Sequence, residues 1–95
     1  MAKLIWSPQA IDDLDAICSY IERGSNAYAR LFGERLISLA ESIPLHPLLG
    51  AVVPEYMRED LRERRLQNYR LIYRIVGDTI QIVTIAHGAK PLPPV

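Results

Sequence analysis

The sequence predicts an α+β domain in which a helical hairpin packs on a mostly antiparallel sheet. Apolar residues recur at spacings of three and four through the first half of the chain, which is typical of amphipathic helices. The last third is instead rich in β-branched and aromatic residues, which is typical of strands. Between them lies an irregular stretch interrupted by prolines and a glycine. The predicted element order is β-α-α-β-β-β, in one domain spanning residues 1–95.

A short strand over residues 2–6 leads into the first predicted helix, residues 8–23. Ser7 can accept hydrogen bonds from the free backbone donors of the first turn, and Pro8 is preset for the first helical position. Gly24 is a natural stop at the other end. Apolar residues recur along one face of this helix, at Ile11, Leu14, Ile17, Cys18 and Ile21.

The second predicted helix covers residues 26–43, capped by Ser25 or Asn26 and ended by Pro44. Its apolar stripe consists of Tyr28, Leu31, Phe32, Leu36, Leu39 and Ile43. Only a few residues separate the two helices, so they should form an antiparallel hairpin. We expect the interface between helices and sheet to contain Leu14, Ile17, Ile21, Leu31, Leu36 and Leu39 from the helices and Leu71, Ile75, Ile80 and Ile82 from the sheet.

The last third predicts strands at residues 61–67, 69–76 and 79–86, the last two joined by a tight turn at Gly77-Asp78. These last two strands are almost continuously apolar, so both of their faces should be at least partly covered. The helical hairpin can cover only one face. We therefore expect excess apolar surface on the sheet, which usually marks a binding surface.

Composition excludes several classes of protein. The chain has 95 residues, of which 49% are hydrophobic, and this fraction is ordinary for a globular protein. Its formal net charge is zero, so there is no overall electrostatic attraction to nucleic acid or membranes. A lone Cys18 excludes an intrachain disulfide, and His46 has no second ligand candidate nearby, so we expect neither a metal nor a cofactor. No apolar run is long enough to span a bilayer, and no signal peptide is evident, so a cytoplasmic location is expected.

The second half of the chain holds seven basic residues against five acidic ones, and most of its arginines are clustered. The cluster has two interpretations: a solvated strand face whose arginine stems cover apolar neighbours, or a patch facing an anion. Four arginines at even positions of neighbouring strands, Arg62, Arg64, Arg70 and Arg74, are expected to share one face. Apolar residues ringed by arginines, Ile72 among them, suit an acidic amphipathic segment laid into a groove or added at a sheet edge.

Three segments resemble the ParE/RelE superfamily of toxins. IWSPQAIDDLDAICSYI resembles the opening strand and first helix of that family. HPLLGAVVPEYMREDLRERRLQNYRLIYRI resembles its central signature, in which proline, glycine and Pro-Glu precede an arginine-bearing strand and a Tyr-Arg-apolar-apolar-Tyr run. IQIVTIAHGAK resembles its last strand, which ends in histidine followed by small and basic residues. The resemblance covers roughly residues 3–91.

The resemblance implies the toxin of a type II toxin–antitoxin system, a RelE/ParE-like fold and a toxin–antitoxin hetero-oligomer. ParE-like members inhibit DNA gyrase and serve plasmid stabilisation, whereas RelE-like members cleave mRNA on the ribosome. The implied partner is the C-terminal region of a ParD-like antitoxin, which would meet Arg62, Arg64, Arg70, Ile72 and Arg74. Nucleic acid would be contacted through the antitoxin, and no membrane is involved.

A metal-independent ribonuclease needs an acid, a base and cations around the phosphate. The candidates are His87 and Tyr73 as acid or base, with Arg65, Arg74 and Lys90 as cations. For Tyr73 the favoured interpretation is packing in the core or across strands, and His87 has a second interpretation as a histidine that ends the strand. Zero net charge, a scarcity of lysine and the ending IAHGAKPLPPV, which resembles that of ParE, argue against this activity. We therefore expect a gyrase inhibitor without catalysis, in which Arg65, His87 and Lys90 contact the target. The alternatives are a RelE-like mRNA endoribonuclease and a binding module that has lost its toxicity.

Overall fold

A computed structural model describes residues 2–95 and places two helices on one face of a five-stranded mixed sheet. The strands are β1 (Lys3–Trp6), β2 (Ala51–Val52), β3 (Leu61–Leu66), β4 (Tyr69–Val76) and β5 (Thr79–His87), and the helices are α1 (Pro8–Glu22) and α2 (Asn26–Ser42). Two short 3-10 helices, Ile43–Leu45 and Pro47–Leu49, follow α2. The predicted α+β class and helical hairpin are confirmed.

The sheet has the order β1-β5-β4-β3-β2. β1 runs parallel to β5, and the other neighbouring strands are antiparallel. β2 was not predicted, because two residues are too few to carry a strand period and they lie in the irregular stretch. The element order therefore contains one strand more than the sequence indicates.

Both helices begin where their capping residues predict. The Ser7 hydroxyl accepts a hydrogen bond from the Ala10 amide at 3.0 Å and donates one to the Val83 carbonyl at 2.7 Å, so the cap also ties α1 to β5. The Ser25 hydroxyl accepts one from the Tyr28 amide at 3.1 Å. These bonds satisfy backbone donors that the first turn of a helix leaves free.

The core between helices and sheet contains most of the predicted residues. Leu36, Leu71, Ile80 and Ile82 are fully buried, and others pack against them from partly buried positions. Leu31 is an exception: its side chain is 42% exposed, so its predicted core position is wrong. It lies on the flank of α2, where it lines an open groove together with Leu66 of β3. The residues that pack from partly buried positions include Leu14, Ile21, Leu39 and Ile75.

The sheet face opposite the helices, termed here the far face, is covered by the chain itself. Ile72 and Leu61 are fully buried there. Residues 53–60 cross this face, and the Tyr56 hydroxyl donates a hydrogen bond to the Pro93 carbonyl of the C-terminal tail (residues 88–95). The expected exposure of Ile72 as a binding anchor on β4 is therefore wrong, although Val76 at the end of that strand is 53% exposed. The loop and tail already supply the second cover that an apolar strand pair requires.

No helix within residues 2–95 is both long enough and apolar enough to cross a membrane.

Candidate functional site

The strand register divides the arginines of β3 and β4 between two faces. Arg62 is paired with Tyr73 and Arg64 with Leu71, whereas Arg65 is paired with Arg70. Directly paired residues of antiparallel strands lie on the same face. Tyr73 and Leu71 belong to the helix-side core, so Arg62 and Arg64 lie on the helix face, at its border.

Arg65, Arg70 and Arg74 lie on the far face, so the prediction that four arginines share one face is wrong. The reason is the loop between β3 and β4. It contains two residues, Gln67 and Asn68, and therefore pairs every even position of one strand with an odd position of the other.

Arg70 occupies the centre of a buried ion network on the far face. It is 4% exposed and donates to both oxygens of Glu63, at 2.6 and 3.1 Å, and to both oxygens of Glu55, at 2.6 and 2.8 Å. Glu63 is itself 6% exposed. Paired charges of this kind can be buried because each offsets the desolvation of the other. Arg70 therefore holds the loop that carries Glu55 against the sheet and is not available at the surface.

The remaining far-face arginines are also paired with carboxylates. Arg65 lies 3.1 Å from Glu63, and Arg74 lies 3.3 Å from Asp60. Asp60 also binds Arg58 at 2.6 Å, and the hydrogen bond from Arg58 is the main cause that lowers the pKa of Asp60. Most of the positive charge that the sequence concentrates here is thus neutralised within the chain.

The ion network makes the stability depend on acid pH. Hydrogen bonds from Arg70, above all, lower the pKa of Glu55 from 4.5 to about 2. A carboxylate whose pKa is lower in the folded state stabilises the fold above its unfolded pKa, and this contribution disappears as the pH falls from about 4.5 to 2.

We therefore expect Glu55→Gln to flatten the fall in the free energy of unfolding between pH 5 and pH 2. Urea titrations at half-unit steps would measure this slope. Glu41→Gln, at an exposed position of α2, is the matched control and should retain the parent slope. Identical slopes for the Glu55 variant and the parent would contradict this interpretation of the network.

Tyr73 has a structural position. Its side chain is fully buried, its hydroxyl donates to the Pro47 carbonyl, and it accepts from the Gly50 amide at 3.2 Å. Burial is the main cause that raises its pKa. A Cβ at Gly50 would collide with the Tyr73 hydroxyl, which explains the glycine there. Tyr73 therefore fixes the 3-10 segment to the core and cannot reach a substrate phosphate.

His87 and Lys90 lie together in an open cleft of about 720 Å³ at the end of the sheet. The cleft lies between α1, the β3–β4 loop and the C-terminal tail. The His87 ring packs edge-on against Tyr69, with centroids 5.5 Å apart, and its Nδ1 accepts a hydrogen bond of 3.4 Å from the Ala89 amide. Arg65, the third predicted target contact, is not part of the cleft lining.

The five ribonuclease candidates are divided along the sheet: His87, Lys90 and Arg65 lie at one end, and Tyr73 and Arg74 lie farther along β4. His87 is paired with Tyr69, while Tyr73 and Arg74 lie four and five residues farther along β4. At the rise of a strand this separates them from His87 by about 13–17 Å. These residues therefore do not converge on one phosphate. Within residues 2–95, no three or more histidine, cysteine or acidic side chains are grouped so that they could hold a metal ion.

Two features of the site were not evident from the sequence. The first is that Glu55 and Glu63 are the partners of Arg70. The second is that Asp13 of α1 binds β5 beyond the stretch that pairs with β1. Asp13 accepts hydrogen bonds there from the Ile85 amide at 3.0 Å and from the Thr84 hydroxyl. The sequence did contain one indication of the ion network. Glu63 occupies a position of β3 that alternates with partly exposed ones and is buried, and a buried carboxylate requires a partner.

Comparisons with known proteins agree with the fold and the motifs. A family described as "ParE toxin of type II toxin-antitoxin system, parDE" matches residues 4–92. The protein named Toxin RelE2 of Caulobacter vibrioides is 30% identical over 90 residues, which are 95% of this chain and 99% of that protein.

Two solved structures share the fold. One comes from the chromosomal ParDE system of P. aeruginosa, with a TM-score of 0.76, 24% identity, and coverage of 92% of this chain and 96% of that chain. The other comes from the YoeB-YefM complex of Staphylococcus aureus, with a TM-score of 0.57, 19% identity, and coverage of 88% and 93%. The match to the family over nearly the whole chain means that this protein belongs to the ParE toxins of type II toxin–antitoxin systems, within the ParE/RelE superfamily.

Proposed function

We propose that this chain, acting as a single cytoplasmic domain without metal or cofactor, inhibits DNA gyrase by binding it and is neutralised by a ParD-like antitoxin. The observation that carries the proposal is the separation of the candidate ribonuclease residues. An acid–base pair must reach the same phosphodiester, from hydrogen-bond distance or through one water. His87 and Tyr73 are about 13 Å apart along the strands, and Tyr73 is sealed in the core.

The charge distribution supports binding to a protein over docking into RNA. Arg65, Arg70 and Arg74 are each paired with a carboxylate on the far face. A protein that docks onto RNA needs unneutralised cations for phosphate contacts. The formal net charge of the whole chain is zero.

The proposed target contact is the cleft that contains His87 and Lys90. It combines one cation, an exposed imidazole and amide groups from the β3–β4 loop, a mixture suited to a polar protein segment. Arg65 lies at the same end of the sheet but on its far face, so it can contribute only at the margin of this contact.

The proposed antitoxin surface is smaller than the one predicted from sequence. The solved relatives come from toxin–antitoxin systems, which supports an antitoxin as partner here. Arg62 and Arg64 remain in the proposed surface because they lie at the border of the helix face. Arg70 and Ile72 are buried and Arg74 is held by Asp60 on the opposite face, so these three are left out.

The test is a gyrase supercoiling assay beside a ribosome-dependent mRNA cleavage assay, both with the purified chain. The parent should inhibit supercoiling and leave mRNA intact. His87→Ala should raise the concentration for half-inhibition by about tenfold, as truncation of a central contact does. His46→Ala, which removes an exposed histidine between the two 3-10 helices, is the matched control and should behave as the parent.

The likeness to the protein named RelE2 favours a second candidate, the mRNA endoribonuclease. Cleavage of mRNA by the parent, abolished in His87→Ala, would overturn gyrase inhibition in favour of that activity. A parent chain inactive in both assays that still binds its antitoxin would instead identify a non-toxic remnant.

A further inference from the structure

The edge of β5 that faces away from β4 is occupied along only part of its length. β1 pairs with this edge as far as Ile82, and the Ser7 hydroxyl then binds the Val83 carbonyl at the start of α1. Beyond Val83, within residues 2–95, no strand pairs with the edge. This last part of β5 forms one wall of the cleft that contains His87 and Lys90.

Backbone hydrogen bonds identify which groups of β5 face the cleft. The Gly88 amide donates to the Asn68 carbonyl at 2.7 Å, so the groups of Gly88 point towards β4 and those of His87 point away from it. The groups of Ile85, two residues earlier, point to the same side as those of His87. The hydrogen bond from the Ile85 amide to Asp13 of α1 agrees with this direction.

Two of these four outward groups are already bonded within the chain. Asp13 accepts from the Ile85 amide at 3.0 Å, and the His87 carbonyl accepts from the Lys90 amide at 2.9 Å. The Ile85 carbonyl and the His87 amide remain, and neither forms a hydrogen bond within residues 2–95. An antiparallel neighbour exchanges bonds with the amide and the carbonyl of the same residue, whereas a parallel neighbour bonds a carbonyl and the amide two residues later. A single residue of a parallel segment can therefore satisfy both remaining groups.

The end of the cleft beyond His87 is rich in hydrogen-bond donors. The His87 Nδ1 accepts from the Ala89 amide, so the neutral ring carries its proton on Nε2. Lys90 adds an ammonium group that forms no ion pair within residues 2–95. Asp13 is the acidic residue of the lining, and its two oxygens already accept hydrogen bonds from α1 and β5. This end of the cleft is therefore complementary to a carboxylate.

We propose that a short extended segment of the target protein, with an acidic side chain, lies parallel to β5 in this cleft; the inference rests on the proposed function and deepens it. One residue of the segment would donate its amide to the Ile85 carbonyl and accept from the His87 amide. Because the segment runs in the direction of β5, the residues that follow lie beside Lys90, where an aspartate or glutamate would bind. Neighbouring side chains would alternate between Tyr20 of α1 and Leu92 of the tail, which line opposite sides of the cleft.

The first test measures the dissociation constant of the full chain with purified DNA gyrase and compares two variants of His87. His87→Ala removes the imidazole and keeps the outward amide, whereas His87→Pro removes both. Proline is compatible with an edge strand where its nitrogen faces outwards. We expect His87→Pro to bind about tenfold more weakly than His87→Ala. Circular dichroism and urea unfolding should confirm that both variants are folded.

Hydrogen exchange of the parent chain tests the same contact without a substitution. The His87 amide should exchange rapidly in the free chain, and binding of gyrase should slow its exchange by about tenfold or more. The Ile85 amide is the internal control, because Asp13 already binds it and gyrase should change its exchange little. Mass spectrometry with fragmentation to single residues would separate the two amides.

Lys90→Ala tests the acidic character of the segment. It should weaken binding to gyrase by roughly three- to tenfold at low salt and remove much of the salt dependence of the dissociation constant. Lys3→Ala, which removes an exposed cation of β1 outside the cleft lining, is the matched control and should bind as the parent does.

The outcomes separate this inference from the proposed function. If the parent chain does not bind gyrase, both fail. If the parent binds gyrase but His87→Pro matches His87→Ala and the His87 amide stays unprotected, the target lies elsewhere and the inference alone is overturned. Equal salt dependence of Lys90→Ala and Lys3→Ala would overturn the acidic segment. If the free chain forms dimers that His87→Pro abolishes without affecting gyrase binding, a second copy of this chain is the occupant, which also overturns the inference.

Discussion

Replacing Arg70 by methionine should destabilise the protein by about 3–5 kcal/mol, because the change leaves the carboxylate of Glu63 buried without its partner. Glu63 is 6% exposed and loses two charge-assisted hydrogen bonds from Arg70. Its remaining ion pair, to Arg65, is with a side chain that is 64% exposed. Total stabilities of small domains are roughly 5–15 kcal/mol, so this loss should remove much of the resistance to urea.

The double variant Arg70→Met/Glu63→Leu distinguishes an uncompensated charge from lost packing. Replacing both members of a buried pair by apolar residues is often neutral, so the double variant should recover most of the stability. Arg74→Met is the matched control, because its ion pair with Asp60 is about one-third exposed on both sides and should contribute at most about 1 kcal/mol. Urea unfolding of the four proteins at pH 7 measures these differences. A double variant as unstable as Arg70→Met would show that the network stabilises through packing and not through charge pairing.

Leu36→Ala should cost about 2–5 kcal/mol, since it opens a cavity at a fully buried position of α2. Leu31→Ala, on the same helix but 42% exposed, should cost less than about 1 kcal/mol. Both substitutions remove the same atoms and have the same effect on helix propensity. The difference between their urea midpoints therefore measures burial alone. Equal losses at the two positions would mean that Leu31 belongs to the core, as its spacing in the sequence predicts.

Helices and hairpins were predictable from the sequence because their signals are local. Ser7-Pro8 and Ser25 cap the two helices, and Gly77 adopts the left-handed φ of +56° that the β4–β5 turn requires. The pairing of β1 with β5 was not predicted, since no local pattern specifies which strand a short segment will join. β2 escaped prediction for a similar reason, because its two residues acquire strand geometry only from β3.

The arrangement of the arginines was harder to predict than their presence. The spacing of residues along one strand predicts which of them share a face of the sheet. Which residues of two neighbouring strands share a face depends instead on the length of the loop that joins the strands. Here the even positions of β3 lie opposite odd positions of β4. The cover over Ile72 also depends on distant segments, since the loop with Glu55 and the tail with Pro93 meet there. The cleft at His87 forms from three parts of the chain, so the sequence could name two of its residues but not their setting.

The parallel pairing of β1 with β5 has a consequence for folding during synthesis. The bond between the Ser7 hydroxyl and the Val83 carbonyl joins residues 76 positions apart, and β1 has no other partner in the sheet. Contacts so distant in sequence slow folding, because a large loop must close before they can form. The first strand, and the Ser7 bond that links the start of α1 to the sheet, can therefore form only after the last strand has been synthesised. Until β5 is available to pair, β1 therefore has no place in the sheet.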